Sequence, residues 1–121
     1  MIDPAKVVSI HPYFKVKPGN MPQARALLDQ MVSRTTTEKD NLYYDFTINN
    51  DTIFCREAYI GAEALLLHSA NVDPVLKDFV PLVDILRVEI HGTAGELDKL
   101  RDHYAPLNPD YYVFACGVKR E

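Results

Sequence analysis

Leu42-Tyr43-Tyr44-Asp45-Phe46-Thr47-Ile48, then Asn49-Asn50-Asp51, then Thr52-Ile53-Phe54-Cys55-Arg56-Glu57-Ala58-Tyr59 is the stretch whose reading decides the fold. Leu42, Tyr44, Phe46 and Ile48 alternate with Tyr43, Asp45 and Thr47 at the two-residue period of a strand. Asn49-Asn50-Asp51 supplies residues that tolerate positive φ, so a tight turn and a hairpin are predicted. The return strand sends Phe54, Arg56 and Ala58 to one face and Ile53, Cys55, Glu57 and Tyr59 to the other. Gly61 breaks that pattern, and Ala62 to His68 reads as helix.

Before the hairpin, Val7 to Phe14 reads as a first strand, Lys15 to Gly19 as a loop and Asn20 as a helix N-cap. The helix that follows places Ala24, Leu27, Leu28, Met31 and Val32 on one buried stripe, and the polar run Thr35 to Asn41 leads to the hairpin. After the second helix, Asp73-Pro74 has the form of an N-cap with proline at the first helical position. It predicts a separate short helix carrying Val75, Leu76, Phe79 and Val80, ended near Pro81. Ile85 to His91 alternates Leu86, Val88 and Ile90 against Arg87, Glu89 and His91, a half-buried strand closed by Gly92.

Strand, helix, strand, strand, helix, strand is the ferredoxin-like βαββαβ order, an α+β class with an antiparallel sheet and helices on one side. A tail adds a helix over Gly95 to Tyr104, with Leu97, Leu100 and Tyr104 on one face, and a strand over Tyr111 to Val118. At 121 residues one domain is expected. The first strand is apolar or aromatic on both faces, with Val8, Ile10 and Phe14 on one and Val7 and Tyr13 on the other. Helices cover only one face, so a second copy of the chain is the expected cover for the other, as a homodimer. Folding back of the tail over that face is the alternative.

A net charge of −4 and scattered lysines and arginines argue against a nucleic-acid partner. The amino terminus does not resemble a signal peptide and no segment approaches a membrane span, so a cytoplasmic protein without membrane contact is expected. Cys55 and Cys116 are expected to be two reduced, buried thiols rather than a bridge. No histidine pair has chelate spacing, and there is no phosphate loop, nucleophile elbow or dinucleotide fingerprint, so neither a metal nor a cofactor is expected.

Val16-Lys17-Pro18-Gly19, Leu42-Tyr43-Tyr44-Asp45-Phe46, and Arg56-Glu57-Ala58-Tyr59 followed by Glu63-Ala64-Leu65-Leu66-Leu67-His68 together resemble the antibiotic biosynthesis monooxygenase family. The resemblance covers roughly residues 5–91, leaving 92–121 as a helix and strand extension. It implies a dimeric α+β barrel and, among family activities, cofactor-free oxygenation of aromatics, haem degradation or isomerisation. The chain has no tryptophan, unlike the haem degraders and several quinone-forming members, and its tail is longer than the compact family core.

Within this frame His68 is the candidate base, since imidazole titrates near neutral pH, or else a staple fixing its helix to the sheet. Mid-strand Glu57 needs a partner such as His68, Arg56 or Arg87, and beside His68 it would orient the ring. Tyr43, Tyr44, Phe46 and Tyr59 are candidates for an aromatic pocket, with His11 and His91 approaching the same cavity from neighbouring strands. The favoured reading is a cofactor-independent monooxygenase-like enzyme acting on a small aromatic or enolisable substrate. An isomerase or tautomerase of a small carbonyl compound, and a binding protein without catalysis, are the alternatives.

Overall fold

The computed structural model describes residues 2–120. Strand β1 (Val7–Val16) leads to helix α1 (Met21–Thr35), the hairpin β2 (Asn41–Asn49) and β3 (Thr52–Ile60), helix α2 (Ala62–Phe79) and strand β4 (Val83–Gly92). Two short helices, α3 (Ala94–Asp98) and α4 (Arg101–Tyr104), and a final strand β5 (Asp110–Val113) follow. The sheet order is β2-β3-β1-β4-β5; the first four strands are antiparallel and β5 runs parallel to β4. This is the ferredoxin-like α+β arrangement, with one strand added at its β4 edge.

The hairpin closes through Asn50, which takes φ +54°, so the chain reverses over Asn50-Asp51. Gly61 takes φ +93° between β3 and α2, a conformation that favours glycine. Along β1, Val8, Ile10, Phe14 and Val16 are buried under the helices, while Val7, Ser9, His11 and Tyr13 face the other way. Leu27, Leu28 and Met31 of α1 and Val72, Val75 and Phe79 of α2 pack with Phe14 and Ile53 as one half of the core. Leu97, Leu100 and Tyr104 pack with Val8, Ile10 and Ile90 as the other.

Several sequence expectations are corrected. Val16 belongs to β1, not to the following loop. Asp73-Pro74 does not start a helix: α2 runs unbroken from Ala62 to Phe79 with Pro74 inside it. Proline removes one backbone donor there, but Leu65, His68, Val72, Val75 and Phe79 form one continuous buried stripe that carries the helix across it. Val32 is 38% exposed, and the buried residue at that end of α1 is Thr35, whose hydroxyl donates to the Met31 carbonyl.

Leu86, expected to share a face with Val88 and Ile90, is 55% exposed. Tyr13 pairs with Arg87 and Phe14 with Ile85, so Leu86 is the extra residue of a β-bulge and the alternation slips at that point. In the tail the helix breaks into α3 and α4, and the last strand ends at Val113. Cys55 is buried and Cys116 exposed, both as free thiols.

The tail packs mainly on the helical side, and its last residues return along one end of the outer face, where residues 112–116 and Lys119 border Val7, Ser9 and His91 and Lys119 bridges to Ile2. Leu97, Leu100 and Tyr104 join the core on the helical side, and β5 lengthens the sheet. On the outer face Tyr112 stacks on His91, with ring centroids 4.5 Å apart. No helix among the described residues is long and apolar enough to cross a membrane.

Candidate functional site

Three elements converge on His68. Its position on the buried stripe of α2 aims the imidazole at the inner face of the sheet, where it is 5% exposed. Strand β3 presents Glu57 from the same layer as Ile53, Cys55 and Tyr59, all buried. Beyond α1, in the turn before β2, lies Glu38.

Glu38 accepts a hydrogen bond from His68 Nδ1 at 2.8 Å. Asn71 holds the carboxylate in place, donating from Nδ2 to Glu38 Oε2 and to the Arg34 carbonyl, both at 2.9 Å. Arg34 Nε returns a bond to the Asn71 carbonyl, so the crossing of α1 and α2 is stapled where the turn needs it. With a carboxylate as acceptor, the ring proton belongs on Nδ1, and Nε2 presents its lone pair on the opposite side.

On that side Glu57 Oε1 lies 3.5 Å from His68 Nε2, and Tyr59 donates to the same oxygen at 2.6 Å. Burial pushes the Glu57 carboxyl above its ordinary range, and the negative Glu38 adds to the rise. The imidazole of His68 and hydrogen bonds from Tyr59 and Cys55 oppose it. Desolvation is the largest effect, so the net shift is upward. Burial and the charge on Glu57 likewise push the Tyr44, Tyr59 and Cys55 groups upward, which keeps them neutral.

A cavity of about 140 Å³ opens between the sheet and the helices, against both Glu57 and His68. Its walls are chiefly apolar, from Phe14, Val72, Phe79 and Val88 among others. Tyr44 and Phe46 also line it; Tyr44 packs on His68 at 4.7 Å between ring centroids and on Phe46 at 5.1 Å. Tyr59 lies behind Glu57, outside the lining, with its ring 5.0 Å from that of His68.

The structure thus brings His68, Glu57, Tyr44 and Phe46 together at one cavity. It does not bring the other candidates there. Tyr43 is 47% exposed and points away from the helices. His11 and His91 are on the outer face, edge to face at 4.8 Å, where His11 Nε2 bonds Ser9 Oγ at 2.8 Å. Among the described residues no three His, Cys, Asp or Glu side chains converge as a metal site.

Glu38 escaped the sequence reading, as did Ser69 and Tyr104, which line the same cavity and hydrogen-bond each other at 2.5 Å. Glu38 sits in an irregular polar run with no periodicity to mark it. Tyr104 was legible only as a buried helix residue.

No family model and no curated protein matches this chain. Solved structures do. MupZ from Pseudomonas fluorescens superposes with a TM-score of 0.89 at 30% identity over 95% of each chain. A candidate antibiotic biosynthesis monooxygenase from Caulobacter crescentus CB15 superposes at TM-score 0.65 and 15% identity, over 72% of this chain and 89% of its own. Another from Chloroflexus aurantiacus J-10-fl gives 0.60 and 16%, over 69% and 89%. The ferredoxin-like order, the inward-facing hairpin residues and these superpositions agree: this chain is a relative of MupZ and has the antibiotic biosynthesis monooxygenase-like fold.

Proposed function

We propose that the chain is an acid–base enzyme of the monooxygenase-like kind, acting on a small aromatic or enolisable substrate held in the cavity beside His68. The observation that carries this reading is the row Glu38, His68, Glu57: a carboxylate orients the imidazole, and its free nitrogen faces both a buried carboxyl and an apolar cavity. A hydrogen bond from Nδ1–H to a carboxylate makes Nε2 a better base and fixes its direction. His68 removes a proton from a phenol or from carbon next to a carbonyl. The resulting anion is electron-rich enough to reduce dioxygen; one oxygen atom enters the product and the other leaves in water. Apolar walls exclude solvent from the anion, and Tyr44 supplies a neutral hydroxyl beside it.

A second reading, isomerisation without oxygen, is favoured by the upward shift of the buried Glu57 carboxyl beside His68. A carboxyl standing 3.5 Å from the base offers a second proton-carrying group, so a proton taken at one atom can be returned at another. Solvent-deuterium exchange into one-ring ketones, run in air and anaerobically beside an oxygen electrode, separates the two. Exchange with oxygen uptake supports oxygenation, and turnover unchanged without oxygen supports isomerisation. Exchange equally fast in His68→Gln overturns both.

The same reading takes the chain as one domain working as a homodimer. Tyr13 and Phe54 face outward from the sheet, packed on each other at 4.6 Å between ring centroids, away from the end that the tail borders at Val7, Ser9 and His91. A second copy laid face to face would cover it, and the mass in solution tests this.

A further inference from the structure

The cavity has a second polar pole. Ser69, next to His68 on α2, and Tyr104, at the end of α4, meet hydroxyl to hydroxyl at 2.5 Å and both line the cavity wall. Two hydroxyls carry two hydrogens, and their mutual bond uses one. Neither has another partner among the described side-chain hydrogen bonds, so one hydrogen and several lone pairs remain for a guest. Burial pushes the Tyr104 phenol up, which keeps it a neutral donor.

The remaining lining sets the charge of that guest. Among the described residues no lysine or arginine borders the cavity, while Glu57 does. A carboxylate or phosphate brought there would be desolvated with no cation to meet it and with an acid beside it. A neutral hydroxyl or carbonyl oxygen meets one donor and ready acceptors. The volume, about 140 Å³, is close to that of an engineered apolar cavity of ~150 Å³ that takes up benzene.

We propose that the Ser69–Tyr104 pair positions a neutral oxygen of the substrate, so that the cavity selects an uncharged molecule about one ring in size. The inference rests on the cavity being the substrate site and names its substrate class. Tyr104 acts here as a specificity residue supplied by the segment beyond β4, which gives the C-terminal extension a share in the site.

Ligand-observed NMR titration of the purified chain with phenol, toluene and benzoate tests it. Phenol should bind about five-fold more tightly than toluene, the size of effect one net hydrogen bond gives. Benzoate should bind at least about ten-fold more weakly than phenol, since its charge is left unpaired. Tyr104→Phe and Ser69→Ala should each remove most of the preference for phenol while leaving toluene affinity unchanged, and that unchanged affinity also shows the cavity is intact. Overturning results are a phenol preference that survives both substitutions, benzoate binding as tight as phenol, or no saturable binding of either neutral ring. The titration involves no turnover, so it stands or falls separately from the role of His68, which deuterium exchange reads.

Discussion

Glu38 and His68 are joined by a 2.8 Å hydrogen bond between residues thirty apart in sequence, and Asn71 clamps the carboxylate from the next turn of the histidine's own helix. Orientation of the ring therefore depends on how α1 and α2 cross, not on α2 alone. Removing the charge while keeping the shape tests this dependence. Glu38→Gln should fold normally and lower turnover by about 10- to 100-fold, the scale seen when a metal-bound histidine loses the partner that orients it. Rates matching the unaltered chain would show that the imidazole needs no anchor.

Glu57 makes stability depend on pH in a direction that can be worked out. Its carboxyl titrates above the ordinary value in the folded state, so the folded chain holds a proton that the unfolded chain has released across that interval. The contribution is fully present below the ordinary carboxylate range near 4.5 and is lost as pH rises through the folded value. Glu57→Gln keeps an oxygen for the Tyr59 hydroxyl and cannot ionise, so it should abolish this slope and gain on the unaltered chain as pH rises. Urea midpoints measured from acid to neutral pH would check it; identical slopes in both proteins would mean that Glu57 is not held protonated.

Pro74 lies inside α2 rather than at the start of a separate helix. Alanine there would supply the missing backbone donor and a better helix former, so Pro74→Ala should raise stability, by about 1 kcal/mol after allowing for the adapted geometry. Thermal unfolding reads the sign. A loss of stability would favour a helix start at Asp73-Pro74 instead.

Cys55 is buried and its thiol is pushed upward, chiefly by desolvation and then by the charge of Glu57, whereas Cys116 is exposed. In the folded chain a thiol reagent should therefore modify Cys116 promptly and Cys55 only on unfolding. Prompt modification of both would mean that the β3 layer opens readily.

How much of this was legible in the sequence depends on what kind of signal each residue leaves. The hairpin was readable because Tyr44, Phe46, Cys55 and Glu57 sit in strict alternation around a turn that accepts positive φ, and the structure pairs Tyr44 with Glu57 and Phe46 with Cys55. For Glu57 the sequence left His68, Arg56 and Arg87 open as partners, and the structure brings His68 Nε2 within 3.5 Å because α2 turns its buried stripe onto β3. Glu38 left no such trace, because an irregular turn has no period and its partner is fixed only by the helix crossing. Leu86 misled for the opposite reason: the alternation looked perfect, and one bulged residue moved it out of the core. His11 and His91 were rightly on neighbouring strands, but their faces turn away from the cavity, so adjacency in the sheet did not bring them to Glu57.

Proton abstraction by His68 is the centre of the account, and deuterium exchange from heavy water into a panel of one-ring ketones and phenols, comparing the unaltered chain with His68→Gln, tests it most directly. The account predicts exchange well above the uncatalysed rate in the first protein and a fall of about 10²- to 10⁴-fold in the second, as expected on losing a general base. Equal exchange in the two proteins would contradict it.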